Sequence, residues 1–471
     1  MKSARRPIGR HASTGPAPLR YAARVIRRAP RALAAALLLA ACAGGGEPRP
    51  QNVVLVLVDT LRADHLGAYG YPRPTSPALD AFARQAVVFT DARSQAGCTF
   101  PSVNSLLTSQ LPERFLGQPD GAIGIPGGIP ALPELLRARG WTTAAVSASA
   151  VVRRRPSEHN PRGGFGRGFD LFLEDCPWRS AACVNQQALP LLRSLPRPFF
   201  LYLHYLDPHA PYRPPQGHVR RFARGWSDKR FIRRGNPNPI GRALYQGAPD
   251  PGVTAADRRL LLDLYDEEIA FWDGEFGRLL AGLERAGLDA ETIVVVASDH
   301  GEEFLEHGHV KHCRTVFDSS IRVPLVVRAP GFAPARVAAG AQNLDVLPTL
   351  LDLLGVPAEG HAFAGRSLRP ALAAGRQAHA RQVSAQGVLH AVVGPRHKLI
   401  ADLASGRQWL YDLAADPGET RDRLAAERRA AAPLRAALRD WLARSAGGDP
   451  AALLAGAREA EERLRAVGYI E

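Results

Sequence analysis

The sequence predicts an α/β sandwich with a large, mostly parallel central sheet, and three features carry that expectation. Three continuous apolar runs, Asn52–Val58, Phe199–Tyr205 and Thr292–Ser298, read as strands buried on both faces, because β-branched and aromatic residues fill them without polar alternation. Each run leads into polar residues: Asp59 after the first, Leu206-Asp207-Pro208-His209 after the second, Asp299-His300 after the third. Helical stretches such as Pro133–Arg139 and Asp257–Glu284 lie between them, the second with apolar positions at helical spacing. Open α/β sheets build their sites beyond the carboxyl ends of the strands, so three acid-bearing strand ends predict one site assembled from distant segments.

The chain has 471 residues, 46% of them hydrophobic, which supplies a large core and excludes a disordered or fibrous protein. Its formal charge of +15 is concentrated at the start. Residues 1–41 hold nine Lys or Arg and no acid, leaving +6 for the rest, so no nucleic-acid partner is expected. This basic lead runs into the apolar stretch Ala32–Ala41, too short for a bilayer span of about 20 residues and suited to the core of a signal peptide. Leu39-Ala40-Ala41-Cys42 resembles a bacterial lipoprotein box, in which the Cys becomes the acylated first residue of the mature chain. The expected organisation is a lipoprotein signal peptide over 1–41, a lipidated tether over 42–51, a catalytic domain over 52–375, and a C-terminal subdomain with a helical tail over 376–471. The mature protein is then expected in the bacterial cell envelope, held through Cys42 to the periplasmic face of the outer membrane. The absence of Asp after Cys42 favours that membrane by resemblance to proteobacterial lipoproteins.

Export exposes thiols to oxidation, and four cysteines follow Cys42. Cys176 and Cys183 are close enough in sequence to staple one loop, which leaves Cys98 and Cys313 far apart. Residues 213–252, rich in Arg, Pro and Gly, read as a long surface loop. From about Gln377 short strand signals at Ala391–Gly394, His397–Ile400 and Gln408–Tyr411, followed by helices, predict a smaller α+β subdomain.

A series of ordered blocks resembles the type-I sulfatases of the alkaline phosphatase superfamily. Asp59-Thr60-Leu61-Arg62-Ala63-Asp64-His65-Leu66-Gly67-Ala68-Tyr69-Gly70 is similar to their first block. Pro101-Ser102 through Ser105-Leu106-Leu107-Thr108, Asp207-Pro208-His209-Ala210-Pro211-Tyr212 and Ser298-Asp299-His300-Gly301-Glu302 follow in family order, as do Arg322-Val323-Pro324-Leu325 and Asp416-Pro417-Gly418-Glu419. The resemblance covers nearly all of residues 52–425 and implies an alkaline-phosphatase-like sandwich acting on an anionic ester: a small molecule, a glycan or a lipid headgroup.

The resemblance also implies one divalent metal ion, which polarises ester oxygens and lowers the pKa of the attacking hydroxyl. Asp59, Asp299 and His300 match the family's ligand positions, with Thr99 completing the set. Many relatives have a second acid after the first Asp, where this chain has Thr60, and Asn where it has His300. Fewer carboxylates and one imidazole move the expected ion from calcium alone towards manganese, magnesium or zinc. Asp207, His209, His309 and His312 assemble into a second metal site only on paper, because the two-metal relatives space their ligands as Asp-x-x-x-His. His209 and His312 are instead expected as donors to substrate oxygens or to the leaving group.

The nucleophile separates this chain from most of the family. Sulfatases carry a Cys-x-Pro-Ser-Arg motif whose Cys is oxidised to formylglycine. Here the register set by Pro101-Ser102 puts Thr99 at the Cys and Val103 at the Arg, while Cys98 stands one residue too early, so no formylglycine is expected. A Thr hydroxyl bound to a metal at a helix N-terminus is an activated nucleophile. A sulfo-threonine lacks the elimination route of a formylglycine sulfate ester, whereas a phospho-threonine is cleared by in-line attack of water or alcohol. The leading expectation is therefore an exported hydrolase or transferase attacking a phospho(di)ester through a covalent intermediate on Thr99. Two alternatives stay open: a sulfuric ester hydrolase, and a lipid-anchored pseudoenzyme that binds an anionic ligand. A third reading makes Thr99 a plain N-cap for the helix after Pro101. If Thr99 and His312 face one pocket, their neighbours Cys98 and Cys313 are either within bridging reach or two buried thiols pointing apart.

Overall fold

The structure, a computed structural model, describes residues 51–115, 124–176, 180–210, 212–213, 221–223, 252–375 and 379–445, with 455, 458, 459 and 462 beyond them. The expected signal peptide, Cys42, the tether short of Gln51 and most of the 213–252 loop lie outside the described residues. No described helix is long and apolar enough to cross a membrane.

The three apolar runs form strands with the expected bounds, β1 (Asn52–Val58), β5 (Phe199–Tyr205) and β6 (Thr292–Ser298), every residue of them buried. Around them stand β2 (Val87–Arg93), β3 (Thr142–Ser147), β4 (Leu171–Leu173), β9 (Leu325–Arg328) and β10 (Ala335–Gln342), while β7 (Glu303–Phe304) and β8 (Val310–Lys311) make a separate hairpin. The eight-stranded sheet runs β10-β2-β9-β6-β1-β5-β3-β4. Only β9 is antiparallel to its neighbours.

Alternation along β1 divides the core into two layers, since successive side chains point to opposite faces. Val53, Leu55 and Leu57 join the layer covered by α2 (Thr99–Thr108), α3 (Leu132–Arg137) and α6 (Val346–Leu354). Val54, Val56 and Val58 join the layer covered by α1 (Pro77–Ala83), α4 (Ala181–Ser194) and the 31-residue α5 (Ala255–Arg285). With helices on both faces no strand needs a polar side, which is why the apolar runs are continuous.

The C-terminal part is an antiparallel meander, β11 (Gln382–Gln386), β12 (Leu389–Val393), β13 (His397–Asp402) and β14 (Gln408–Asp412), packed against α7 (Arg428–Ser445) through Leu399, Leu410, Leu434, Leu438 and Trp441. A buried ion network fastens it to the large sheet. Lys398 Nζ on β13 lies 2.9 Å from Asp318 Oδ1 and 2.8 Å from Glu419 Oε1, and Arg93 Nη2 on β2 lies 2.8 Å from Asp318 Oδ2. The Asp-Pro-Gly-Glu block thus supplies, through Glu419, a counterion for a fully buried lysine.

Candidate active site

β1, β5 and β6 are adjacent and parallel, with Leu57 opposite both His204 and Ala297. Their carboxyl ends converge accordingly. Beyond β1 the chain enters a left-handed turn at Thr60 (φ 56°), a conformation that strains a β-branched residue. The surroundings over-determine it: Thr60 N–H donates to Asp299 Oδ1 (3.2 Å), Leu61 N–H to Ser298 Oγ (3.0 Å), and Tyr265 Oη to Thr60 O (2.6 Å). Asp299 Oδ1 also accepts from His300 N–H (2.9 Å), so one carboxylate oxygen serves the turns. A Cβ on Gly301 would fall 2.0 Å from Ser319 O, so only glycine lets the chain leave His300 along this path.

The other Asp299 oxygen, Oδ2, has no hydrogen-bond partner, nor do Asp59 Oδ1 and His204 Nε2, and all three atoms are buried. One ligand atom from each of Asp59, His204 and Asp299 lies within 4.8 Å of the others. Buried carboxylates without donors are costly, and two of them side by side repel. Burial and the Asp299 charge push the Asp59 carboxyl well above its ordinary range. Burial pushes the His204 imidazole down to about 4. Unpartnered oxygen and nitrogen atoms aimed at one point, with a surplus of negative charge, are what a divalent cation requires, so these residues fit the metal that the fold implies.

His300 Nε2 lies 3.6 Å from Asp59 Oδ1 and 3.5 Å from Asp299 Oδ2, while its Nδ1 donates to Gly301 O (2.8 Å). Burial opposes charge on this ring, but Asp299 and Asp59 outweigh it and raise its pKa. The same Nε2 is 3.1 Å from Thr99 Oγ1. This contact corrects one reading of Thr99. The N-cap of α2 is Cys98 and Thr99 is the first helical residue, so its hydroxyl is directed to His300 rather than spent on capping.

His312 lies beside this pair, its ring centroid 4.6 Å from that of His300 and 5.0 Å from that of His209. Its Nδ1 is 2.8 Å from Glu302 Oε1, and Glu302 Oε2 accepts from Tyr212 Oη (3.0 Å). Burial, with the nearby His300, Lys311 and Arg314 charges, holds the His312 pKa well below its ordinary value. His209 Nδ1 donates to Ala210 O (2.5 Å). Cys98 and Cys313 form a disulfide with Cα atoms 4.6 Å apart, joining the start of α2 to the loop that carries His312. Cys176 and Cys183 form the other, with Cα atoms 5.7 Å apart.

Asp59, Thr99, Asp299, His300, His209 and His312 are thus brought together from segments up to 253 residues apart in sequence. Asp207 Oδ2 accepts from Ala181 N–H at the start of α4, and neither group of three ligand-type side chains among the described residues contains Asp207, His209, His309 or His312. Sequence reasoning missed His204 and the role of Glu302. The only signal His204 gave was an imidazole inside an apolar strand run, a position where a core side chain needs a polar partner but which does not say which partner.

A model of the sulfatase family matches residues 51–356, and a second, described as the C-terminal part of N-sulphoglucosamine sulphohydrolase, matches residues 305–446. The chain is similar to human arylsulfatase A, 27% identical over 396 residues that span 71% of this chain and 70% of that protein. It superposes on a 2-O GAG sulfatase with a TM-score of 0.67 at 22% identity, covering 86% of this chain and 96% of the other. It superposes equally on the phosphonate monoester hydrolase of Agrobacterium radiobacter, with a TM-score of 0.67 at 22% identity and coverage of 84% and 96%. With the family model spanning the sheet, the converging strand ends and the start of α2, the chain belongs to the sulfatase family of ester hydrolases.

Proposed function

We propose that this protein is a metal-dependent ester hydrolase or transferase in which the Thr99 hydroxyl attacks a phospho(di)ester. The observation that carries this reading is the 3.1 Å contact between Thr99 Oγ1 and His300 Nε2 at the first turn of α2. Asp59 and Asp299 would hold a divalent cation, which would supply charge to polarise the ester oxygens and favour the ionised hydroxyl. Thr99 Oγ1 forms the bond to phosphorus as the P–O bond to the alcohol breaks, and the alcohol leaves with the proton that the Thr99 hydroxyl gives up; water or an acceptor alcohol then attacks phosphorus, the P–Oγ1 bond breaks, and the attacking group's proton restores the Thr99 hydroxyl. His312, oriented by Glu302, accepts the proton of the incoming nucleophile, and His209 binds a substrate oxygen.

A second reading, hydrolysis of a sulfuric ester, is favoured by the similarity to human arylsulfatase A. The phosphonate monoester hydrolase among the structural neighbours shares the fold and keeps the phosphoryl reading in view. Aryl phosphate, phosphodiester, phosphonate and sulfate esters offered to the metal-loaded protein decide between them. The phosphodiester or phosphate monoester is expected to turn over at least tenfold faster than the sulfate, about 1.4 kcal/mol in barrier. A faster sulfate overturns the phosphoryl reading, and no turnover of any ester leaves the anion-binding pseudoenzyme.

The same proposal places the mature chain at the cell envelope, lipid-anchored through Cys42 at the periplasmic face of the outer membrane. Cys42→Ser is expected to release the protein from the membrane fraction, because no helix among the described residues is long and apolar enough to cross a membrane and the lipid on that sulfur is the proposed anchor. A variant that stays bound after a high-salt wash identifies a different anchor.

A further inference from the structure

We propose that the cation of this site takes Nε2 of His204 as a ligand beside Asp59 and Asp299, and that this nitrogen makes the site select zinc-type transition ions over calcium. The inference rests on the reading of the site as metal-dependent. It adds a ligand from β5, a strand to which the sequence assigns no part in metal binding.

Four observations carry it. His204 is fully buried and shares the inner ends of adjacent strands with Asp59 and Asp299. Its Nε2 lies 3.5 Å from Asp59 Oδ2, close for two ligands of one ion and too long for a hydrogen bond between N–H and carboxylate. That nitrogen is left without a hydrogen-bond partner. Its Nδ1 is 2.8 Å from Tyr202 Oη, and a ligating histidine characteristically has its other nitrogen fixed by such a partner. A merely structural histidine would have both nitrogens satisfied, since a buried polar atom without a partner costs free energy.

The donor set gives the assignment a chemical sense. The residue that follows Asp59 is Thr60, whose hydroxyl brings no charge to the site, and the imidazole of His204 adds a strong neutral donor. Two carboxylates with one or two imidazoles form a donor set suited to zinc and its neighbours, whereas calcium prefers six to eight oxygens.

The test is ion affinity of the full-length protein, stripped with chelator and titrated with Zn²⁺ and with Ca²⁺. Wild type is expected to bind Zn²⁺ more tightly than Ca²⁺. His204→Gln should weaken Zn²⁺ on the order of 100-fold, the upper end of what losing a supporting residue costs, and leave Ca²⁺ within a few-fold. His204→Asp should move the preference towards Ca²⁺, a shift that a packing role would not produce. Equal Zn²⁺ affinity in wild type and His204→Gln overturns the role of His204 alone. Wild type that binds neither ion overturns the metal-dependent reading itself. Should His204→Gln fail to melt like wild type in chelator, pulsed EPR of Cu²⁺-loaded His300→Ala protein decides: a coupled imidazole nitrogen supports the assignment and its absence overturns it.

Discussion

Thr99→Ala is expected to abolish turnover, lowering the rate on the best substrate on the order of 10⁴-fold while folding and metal content stay as in wild type. The magnitude follows from the role. Removing a nucleophile leaves only binding and electrostatic stabilisation of the substrate, whereas removing a group that positions substrate costs one or two orders of magnitude. Folding is expected to survive because Thr99 is the first residue of α2 and caps nothing; Ala is a better helix former there. The lost contact is the one to His300, which keeps its Nδ1 bond to Gly301 O. The measurement is single-turnover kinetics with the substrate that wins the ester panel, alongside elemental analysis. Retention of more than a few per cent of the wild-type rate would sink the nucleophile assignment and return the hydroxyl to an accessory role.

The second large effect is expected of Asp299→Asn. The substitution is nearly isosteric, and the amide oxygen still accepts from the N–H groups of Thr60 and His300, so the turn at the end of β6 is retained. What changes is the atom facing the site. Oδ2, the unpartnered oxygen, becomes an NH₂ that repels a cation and cannot ligate it. Metal affinity is expected to fall at least 100-fold and activity with it. Elemental analysis that finds wild-type occupancy in the variant would remove Asp299 from the ligands.

The layers and the main sheet were legible because the physics that builds them is local. A strand buried on both faces must be apolar throughout, and Asn52–Val58, Phe199–Tyr205 and Thr292–Ser298 match β1, β5 and β6 residue for residue. Helix ends were read less well. The helix expected over Pro133–Arg139 spans Leu132–Arg137, and α2 starts two residues before Pro101, because a proline is tolerated in the first turn and does not mark the boundary. The convergence of Asp59 and Asp299 was legible from two acids at strand ends. His204 was not, since its value depends on register: only the pairing of Leu57 with His204 across β1 and β5 brings its ring to Asp59. Glu302 escaped for a similar reason. Nothing in the order of residues tells that a carboxylate three positions after Asp299 holds the His312 ring.

The pattern of the two disulfides has a consequence for how the chain is made. In order of synthesis the cysteines after residue 42 run 98, 176, 183, 313, and the native bridges are nested, the inner pair enclosed by the outer one. Four cysteines allow three connectivities. An oxidant that joins thiols as they emerge meets Cys98 and Cys176 first and makes a bridge the fold does not use. Cys98 reaches its proper partner only after the segment carrying β3 to β8 has been delivered. Cys98, beside Thr99, therefore waits longest of the four for its partner, and the yield of correctly bridged protein depends on thiol–disulfide exchange outpacing burial of the wrong pair.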